Sequence, residues 1–262
     1  MKMSNILKNL GVSYDFTDKV VLVTGGSSGI GKASAIAFAE SGAKVAVLGY
    51  SENAVNETVS EMSEYDVLGL TCDVADEMAV KDAIDKVIDI FGKLDIAFNN
   101  AGVQISHEPL ADMTTEDFTR IIDINLKGVY NCMKYEIPYM QENGYGVILN
   151  TSSQGGLVAI PTISGYTASK HGVIGLTTSA AIEYARENIR INVICPGTCE
   201  TPMVEKAIEA DPEQLDIVID AIPLGRMGTS EELAATVLFL CSDAAGFMVG
   251  QVVAVDGGYT AV

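Results

Sequence analysis

The chain has 262 residues, a length that suits one large α/β domain or two small ones. Hydrophobic residues make up 48% of it, and because Trp is absent and aromatic residues are few, its core must be mostly aliphatic. Its 16 basic and 35 acidic residues give a net charge of -19, which repels phosphate backbones and anionic membranes. This charge argues against nucleic acid or a membrane as a partner.

The cysteines and the N-terminal segment both favour a reducing, cytoplasmic location. Five cysteines are an odd number at wide spacing, as expected for small buried hydrophobes: Cys72, Cys132, Cys195, Cys199 and Cys241. Because the spacing of Cys195 and Cys199 is not usual for zinc ligands, we expect no metal site. Residues 1–10 lack a signal-peptide core, and no apolar run reaches the ~18 residues of a membrane span.

Short aliphatic runs alternate with helical patterns along the chain. Strands are predicted at Lys19–Thr24, Lys44–Leu48, Val67–Cys72, Leu94–Asn99, Val147–Thr151, Arg190–Cys195 and Gln251–Val255. Helices are predicted at Gly31–Ser41, Glu52–Ser63, Asp76–Phe91, Thr115–Asn143, Ser164–Glu187, Asp211–Ile222 and Ser230–Ser242. Strands without polar alternation indicate a parallel sheet buried on both faces. The regular order predicts an α/β fold with a doubly wound, seven-stranded parallel sheet.

A glycine-rich loop joins the first predicted strand to the first predicted helix. It reads Thr24-Gly25-Gly26-Ser27-Ser28-Gly29-Ile30-Gly31. Glycines at such a point allow a tight turn and close approach of the backbone to a pyrophosphate, while the helix N-terminus offers free N–H groups to the anion. A tight turn without a ligand is the alternative interpretation, but the position between strand and helix favours a dinucleotide.

Tyr166 and Lys170 are four residues apart, so on a helix both side chains lie on one face. A phenol titrates near pH ~10, and a fixed ammonium beside it favours the phenolate. The pair therefore suits acid/base chemistry at neutral pH. The same spacing also occurs on ordinary exposed helix faces, and only the rest of the sequence decides between the two.

Together these motifs resemble the short-chain dehydrogenase/reductase family over about residues 18–260. The resemblance rests on Thr-Gly-x-x-x-Gly-x-Gly at residues 24–31, Asp73-Val74, Asn99-Asn100-Ala101-Gly102, Ser153, Tyr166-x-x-x-Lys170 and Pro196-Gly197. It implies a single Rossmann-type catalytic domain at residues 19–262 that transfers a hydride between a nicotinamide and a carbonyl carbon. Residues 1–18 are predicted to be an N-terminal extension that allows one helical turn at Ile6–Leu10.

The resemblance also implies a catalytic tetrad of Asn125, Ser153, Tyr166 and Lys170. Tyr166 is expected to act as acid/base and Ser153 to hydrogen-bond the substrate oxygen, with Ser152 as the adjacent alternative. Lys170 is expected to lower the pKa of Tyr166 and to bind the nicotinamide ribose. Asn125 is expected to hold a water that links Lys170 to solvent.

Cofactor contacts are expected on the loops that follow the strands. By resemblance, Asp73 accepts from the adenine amino group, Asn100 lies against the ribose, and the Cys199 backbone with the Thr201 hydroxyl holds the carboxamide. The full expected set is Gly25, Ser27, Ser28, Gly29, Ile30, Gly31, Gly49, Tyr50, Ser51, Asp73, Val74, Asn100, Ala101, Gly102, Tyr166, Lys170, Pro196, Gly197, Cys199 and Thr201.

The choice between the two nicotinamide cofactors stays open. NAD-preferring Rossmann domains carry an acidic residue after the second strand, and Gly49 stands there. Tyr50 occupies the next position, where NADP-using members often have an arginine. Ser28 and Ser51 offer donors to a 2′-phosphate and Lys32 offers charge, so we favour NADP(H) slightly over NAD(H).

The substrate is expected under segment 203–227, where apolar and acidic residues mix as in amphipathic helices over a hydrophobic pocket. We expect an apolar ketone or secondary alcohol, with a hydroxysteroid or bile acid favoured. A sugar or polyol dehydrogenase, a 3-oxoacyl-(carrier protein) reductase, and a non-catalytic cofactor-binding scaffold or redox sensor are the alternatives. By resemblance the chain forms a homotetramer or homodimer through the helices at 115–143 and 164–187.

Overall fold

A computed structural model describes residues 11–105, 107–205 and 214–262 of the chain. It confirms the predicted fold, a seven-stranded parallel sheet in the order β3-β2-β1-β4-β5-β6-β7 with helices packed against it. The strands are β1 Val20–Thr24, β2 Lys44–Gly49, β3 Val67–Thr71, β4 Ile96–Asn99, β5 Gly146–Thr151, β6 Ile189–Pro196 and β7 Val252–Val255. The helices are α1 Gly29–Glu40, α2 Glu52–Glu61, α3 Glu77–Phe91, α4 Thr115–Ile122, α5 Gly128–Asn143, α6 Ser164–Tyr184, α7 Gln214–Asp220 and α8 Ser230–Cys241.

Both faces of the sheet are covered by apolar packing, as its aliphatic strands predict. Successive side chains of β1 point to opposite faces, yet all are buried. Val21 and Val23 join a cluster with Phe38 of α1, whereas Val20 and Leu22 join a cluster on the other face. Among the described residues, no helix combines the length and apolar character needed to cross a membrane.

The strand order reverses between β1 and β4, which are neighbours in the sheet although two strands lie between them in sequence. β1 pairs with β2 on one side and with β4 on the other, so the loops that follow β1 and β4 diverge from a common edge. Ligands of open α/β sheets bind in the crevice at such a reversal, outside the carboxyl ends of the strands.

The prediction of one continuous helix from Thr115 to Asn143 is wrong. A π-helical segment, Asp123–Lys127, separates α4 from α5. The wider turn accommodates Asn125, whose side chain is fully buried and makes its hydrogen bonds outside the helix. Other element ends differ from the predictions by two residues or fewer, except that the last turn predicted for α6 is 3-10 helix. The turn predicted at Ile6–Leu10 and the start of the helix predicted from Asp211 lie outside the described residues.

Between the sheet and helices α5 and α6 lies a buried polar cluster, of which the sequence motifs contained only Asn99. Asn99 and Asn150 are register partners on β4 and β5, and Asn99 Nδ2 donates to Asn150 Oδ1 at 3.0 Å. The same nitrogen donates to Glu136 Oε2 of α5 at 3.0 Å, and Asn150 Nδ2 donates to Thr177 Oγ1 of α6 at 2.9 Å. The cluster thus ties two central strands to both helices.

Glu136 is the only carboxyl group in this cluster, and its side chain is fully buried. Burial raises the pKa of Glu136 to about 8, although the hydrogen bond from Asn99 opposes the shift. Glu136 is therefore mainly protonated at neutral pH. Because the folded protein keeps this proton up to about pH 8 whereas an unfolded carboxyl loses it at its ordinary value, the stability that this group contributes falls as the pH rises.

We predict that Glu136→Gln removes this pH dependence, because the amide keeps the shape without the titration. As the pH rises from ~5.5 to ~8, the free energy of unfolding of the parent should fall relative to that of the variant. The expected slope is at most about 1.4 kcal/mol per pH unit. Denaturant unfolding across this range measures the difference. Glu142→Gln, at an exposed position of α5, is the control. Equal pH slopes for the parent and Glu136→Gln would contradict the assignment.

Candidate active site

The glycine loop packs tightly against the turn that follows β4. The Thr24 hydroxyl accepts from the backbone N–H groups of Asn100 and Ala101, each at 3.0 Å. Gly25 has φ +63°, and a Cβ on it would lie 3.0 Å from the Ala101 Cα. A Cβ on Gly31 would lie 2.2 Å from the Gly25 carbonyl oxygen. Only glycine fits at these two positions, since any side chain would push the loop and helix α1 apart.

The start of α1 suits an anionic ligand. Its first turn contains no acidic residue, and its N-cap, Ser28, makes no side-chain capping hydrogen bond. The first N–H groups of the helix are thus left for a ligand, and the helix dipole favours negative charge there. Thr201, on the loop after β6, packs close to the start of α1: its Cγ2 would lie 3.2 Å from a Cβ on Gly29. The residues present therefore fit the pyrophosphate of a dinucleotide.

At the end of β2, Gly49 is fixed by packing. A Cβ there would lie 2.7 Å from both Ser27 Oγ and Val55 Cγ2, so an acidic side chain has no room unless its neighbours shift. Tyr50 is 73% exposed, and Ser51 caps α2 by accepting from the Ala54 N–H at 3.4 Å. These positions present hydroxyl groups and no carboxylate to the outer side of the crevice.

Lys32, which sequence reasoning offered as a charge for a 2′-phosphate, lies on α1 near the same crevice. Its Nζ makes an ion pair with Glu61 Oε1 at 2.8 Å. The ammonium is therefore partly neutralised within the protein, which weakens its expected contribution to phosphate binding.

At the end of β3, Asp73 is held from two sides. Its Oδ1 accepts from the Ala75 N–H at 3.0 Å, and its Oδ2 pairs with Arg120 Nη2 at 3.1 Å. Arg120 lies on α4, far from Asp73 in sequence, and no sequence signal linked the two. The neighbouring Val74 is buried, and its carbonyl oxygen accepts from Asn131 Nδ2 at 2.8 Å. This arrangement fixes the carboxylate that is expected to face the adenine.

The four proposed catalytic residues come from three elements. Tyr166 and Lys170 lie on α6, Ser153 follows β5, and Asn125 lies in the π-helical segment. Lys170 is 3% exposed, and its Nζ donates to the Thr151 carbonyl oxygen at 2.9 Å. The same nitrogen lies 5.6 Å from the centre of the Tyr166 ring. The sheet thus holds the lysine through the backbone of β5 beside the tyrosine.

Asn125 anchors the loop that follows β4. Its Oδ1 accepts from the Val103 N–H at 2.8 Å, and its Nδ2 donates to the Val103 carbonyl at 2.9 Å and to Ser169 Oγ at 3.2 Å. A Cβ on Gly102 would lie 3.3 Å from Asn125 Oδ1 and 3.4 Å from Lys170 Nζ. The side chains of Asn125 and Lys170 therefore both approach Gly102. The sequence predicted a link between them through water and did not predict this shared contact.

The ionisation of the pair differs from the sequence expectation. Burial raises the pKa of Tyr166, and a hydrogen bond with Ser153 partly offsets the rise. Burial also lowers the pKa of Lys170 to about 8. The expectation failed because it counted the attraction of the ammonium and left out the desolvation of both groups. At neutral pH Lys170 stays mainly protonated and Tyr166 neutral.

The loop after β6 lies where the nicotinamide is expected. The Gly197 N–H donates to the Val255 carbonyl at 2.9 Å, and Cys199 forms a parallel bridge with Gly228. Burial raises the pKa of the Cys199 thiol to about 12, which keeps the thiol protonated at neutral pH. Its backbone and the nearby Thr201 are what the loop offers to a carboxamide.

Comparison with known proteins agrees with this geometry. A family model described as enoyl-(acyl carrier protein) reductase matches residues 25–260. The chain is 40% identical over 255 residues to levodione reductase of Leifsonia aquatica, covering 94% of this chain and 96% of that protein. It is 40% identical over 251 residues to cyclohexanol dehydrogenase of Acinetobacter sp. (strain SE19), covering 95% and 98%.

Solved structures match over nearly the whole chain. The crystal structure of levodione reductase has a TM-score of 0.91 at 40% identity and covers 94% of this chain and 99% of that one. The structure of NAD+-bound xylitol dehydrogenase has a TM-score of 0.90 at 34% identity and covers 94% and 100%. With this fold, this glycine loop and identity of this extent, the chain belongs to the short-chain dehydrogenase/reductase family of NAD(P)-dependent oxidoreductases, which act on alcohol and ketone groups.

Proposed function

We propose that the protein interconverts a small alicyclic secondary alcohol and the corresponding ketone, with Tyr166 as acid/base. The convergence of Lys170 and Asn125 on Gly102 carries this proposal, because Lys170 lies one helical turn from Tyr166. A cofactor-binding scaffold or redox sensor has no need of a buried ammonium beside a tyrosine, since burying a charge is costly. The buried Lys170 therefore favours an enzyme over the non-catalytic alternative.

Each residue of the tetrad has a distinct task in the proposed reaction. Tyr166 gives its proton to the substrate oxygen during reduction and takes it back during oxidation. Ser153 donates to the same oxygen, and the ammonium of Lys170 favours the phenolate that remains on Tyr166. Asn125 holds the loop at Val103 in place. A bound nicotinamide would supply or accept the hydride.

The proposed cofactor contacts follow the loops at the sheet edge. The N-terminus of α1 would hold the pyrophosphate, Asp73 the adenine, and the loop at Cys199 and Thr201 the carboxamide. Because Gly49 carries no carboxylate, the usual repulsion of a 2′-phosphate at that position is missing. We therefore continue to favour NADP(H), although the related xylitol dehydrogenase was solved with NAD+.

The names of the relatives favour a compact ring over the hydroxysteroid favoured from sequence. Ile163 is buried, and Val103 and Leu157 are half-buried beside the tetrad, which makes this side of the site mainly apolar. The names of two relatives, levodione reductase and cyclohexanol dehydrogenase, point to small molecules, the second to a ring alcohol. Part of the covering segment 203–227 lies outside the described residues, so its contribution stays a prediction.

Two other substrate classes remain as alternatives. The name of xylitol dehydrogenase supports a polyol. The description of the family model names an acyl carrier protein, but the net charge of -19 disfavours docking of an acidic carrier.

We also keep the proposal that the protein is a homotetramer or homodimer. Helix α6 and the segment from α4 to α5 border an apolar groove of about 510 Å³, with Leu126, Tyr130 and Leu176 among its lining residues. A second copy packing its own helices there would bury this surface.

Replacing Tyr166 tests the proposed mechanism. Tyr166→Phe keeps the ring and removes the hydroxyl, so we expect kcat to fall by about 10²- to 10⁴-fold, while the Kd of the cofactor changes little. Steady-state rates and a fluorescence titration with the cofactor measure the two effects. Tyr184→Phe at the other end of α6 is the matched control. Unchanged turnover in Tyr166→Phe would remove Tyr166 as acid/base.

The cofactor preference is tested by assaying both nicotinamides. We expect a higher kcat/KM with NADPH, and we expect Ser28→Ala to reduce that value about tenfold with little effect on NADH, because one donor to a charged phosphate is lost. The Ser28 side chain makes no capping hydrogen bond, so its removal does not take a cap away from α1. Ser60→Ala, at an exposed position of α2, is the control. A preference of the parent for NADH of about tenfold or more, equivalent to ~1.4 kcal/mol, would overturn the choice of NADP(H).

A substrate panel tests the proposed function directly. Cyclohexanol, a hydroxysteroid, xylitol and a 3-oxoacyl thioester, the last as the ketone, are followed by nicotinamide absorbance with each cofactor. We expect the highest kcat/KM with cyclohexanol, because the apolar site fits a small ring. A higher value with the steroid or xylitol would replace the alicyclic proposal while leaving the reaction class intact. Absence of turnover throughout would favour the scaffold.

A further inference from the structure

Gln154 is a buried polar residue that the proposed mechanism does not use. It directly follows Ser153 and begins the short 3-10 turn Gln154–Gly156. Its side chain is 9% exposed, and its carbonyl oxygen Oε1 is buried without a hydrogen-bond partner. A buried amide carbonyl that is left unpaired loses its bonds to water and gains nothing in return. A methionine of similar length would avoid this loss, so the amide at this position needs an explanation.

The turn itself does not require the amide. The backbone carbonyl of Gln154 already accepts from the N–H groups of Leu157 and Val158, each at 3.0 Å. Ser153 Oγ accepts from the Gly155 N–H at 3.1 Å. The local hydrogen bonds are therefore complete without the Gln154 side chain.

The Gln154 side chain crosses from the end of β5 to the end of β6. Its Oε1 would lie 3.1 Å from a Cβ on Gly197, in the turn where the nicotinamide is expected. On the tyrosine side, the next residue is also a glycine. A Cβ on Gly155 would lie 3.7 Å from both Ser153 Oγ and Tyr166 Cδ1. Gly155 thus leaves space next to the reacting groups, whereas Gly197 packs against Asp256, whose Cα would lie 2.6 Å from a Cβ there. The amide of Gln154 lies between these two glycines.

We infer that Gln154 is a specificity-determining residue whose Oε1 accepts a hydrogen bond from a second hydroxyl group of the substrate, on the carbon next to the reacting carbon. This inference rests on the proposed function, because it assigns a ligand group to the same site. A carbonyl acceptor pairs with a donor, so vicinal diols and α-hydroxyketones fit, whereas a carboxylate or an unsubstituted ring leaves Oε1 unpaired.

The carboxamide of the cofactor is a second source of a donor near Gly197. We assign Oε1 to the substrate because Gln154 extends from the residue after Ser153, which is expected to contact the substrate oxygen. The loop at Cys199 and Thr201 is the expected partner of the carboxamide. The two sources differ in the measurement they affect, since loss of a carboxamide contact weakens cofactor binding before any substrate is added.

The test compares trans-cyclohexane-1,2-diol with cyclohexanol. We expect Gln154→Met to lower the ratio of their kcat/KM values about tenfold, because the diol loses a hydrogen bond that cyclohexanol never made. Gln141→Met, at an exposed position of α5, carries the same substitution outside the site and should leave the ratio as in the parent. The Kd of the cofactor is titrated for all three proteins, and circular dichroism confirms their folding.

A binding arm separates failure of this inference from failure of the proposed function. Diol affinity is measured by calorimetry on the Tyr166→Phe protein with cofactor bound, with and without Gln154→Met. Weaker diol binding in the double variant supports the inference. This holds even if the parent turns over neither ring compound, a turnover result that would contradict only the alicyclic proposal. An unchanged ratio and unchanged diol affinity overturn the role of Gln154. A weaker cofactor Kd with an unchanged ratio assigns Oε1 to the carboxamide and also overturns it.

Discussion

Gly102 has no side chain, and the candidate site depends on the close approach that this allows. A Cβ on Gly102 would lie 3.3 Å from Asn125 Oδ1 and 3.4 Å from Lys170 Nζ. Both distances are close to van der Waals contact. The same turn is held to the glycine loop by the Thr24 hydroxyl. A Cβ at Gly102 would contact both groups, and Asn125 would have to shift by a few tenths of an ångström to make room. The turn after β4 therefore couples helix α6 to the glycine loop.

The interior around this contact is unusually polar for a sheet so apolar in sequence. Lys170 is held by the backbone of β5, and immediately behind it Asn150 and Asn99 lead to the buried Glu136. Burial acts on the two ionisable groups in opposite directions, since it lowers the pKa of Lys170 and raises that of Glu136. Both shifts reflect the cost of charge away from water. The protein accepts that cost for the ammonium and avoids it for the carboxyl by protonation.

The surface and the crevice have different electrostatic character. The whole chain carries a charge of -19, yet the first turn of α1 contains no acidic residue and packing excludes a carboxylate at Gly49. Two positive side chains near the crevice are partnered by carboxylates: Lys32 pairs with Glu61 and Arg120 pairs with Asp73. An anion would therefore be held mainly by backbone N–H groups and the helix dipole, which do not depend on the net charge.

The sequence by itself determined the order of elements, because aliphatic strands, helix patterns and a glycine loop are local signals. It also singled out Tyr166 and Lys170, whose spacing is a property of one helix. It missed the π-helical segment, Arg120 and Glu136, and it misjudged the pKa of Tyr166. Each of these depends on which distant residues become neighbours and how far water is excluded. Only the tertiary structure decides that, since burial and contacts across the sheet arise after the chain has folded.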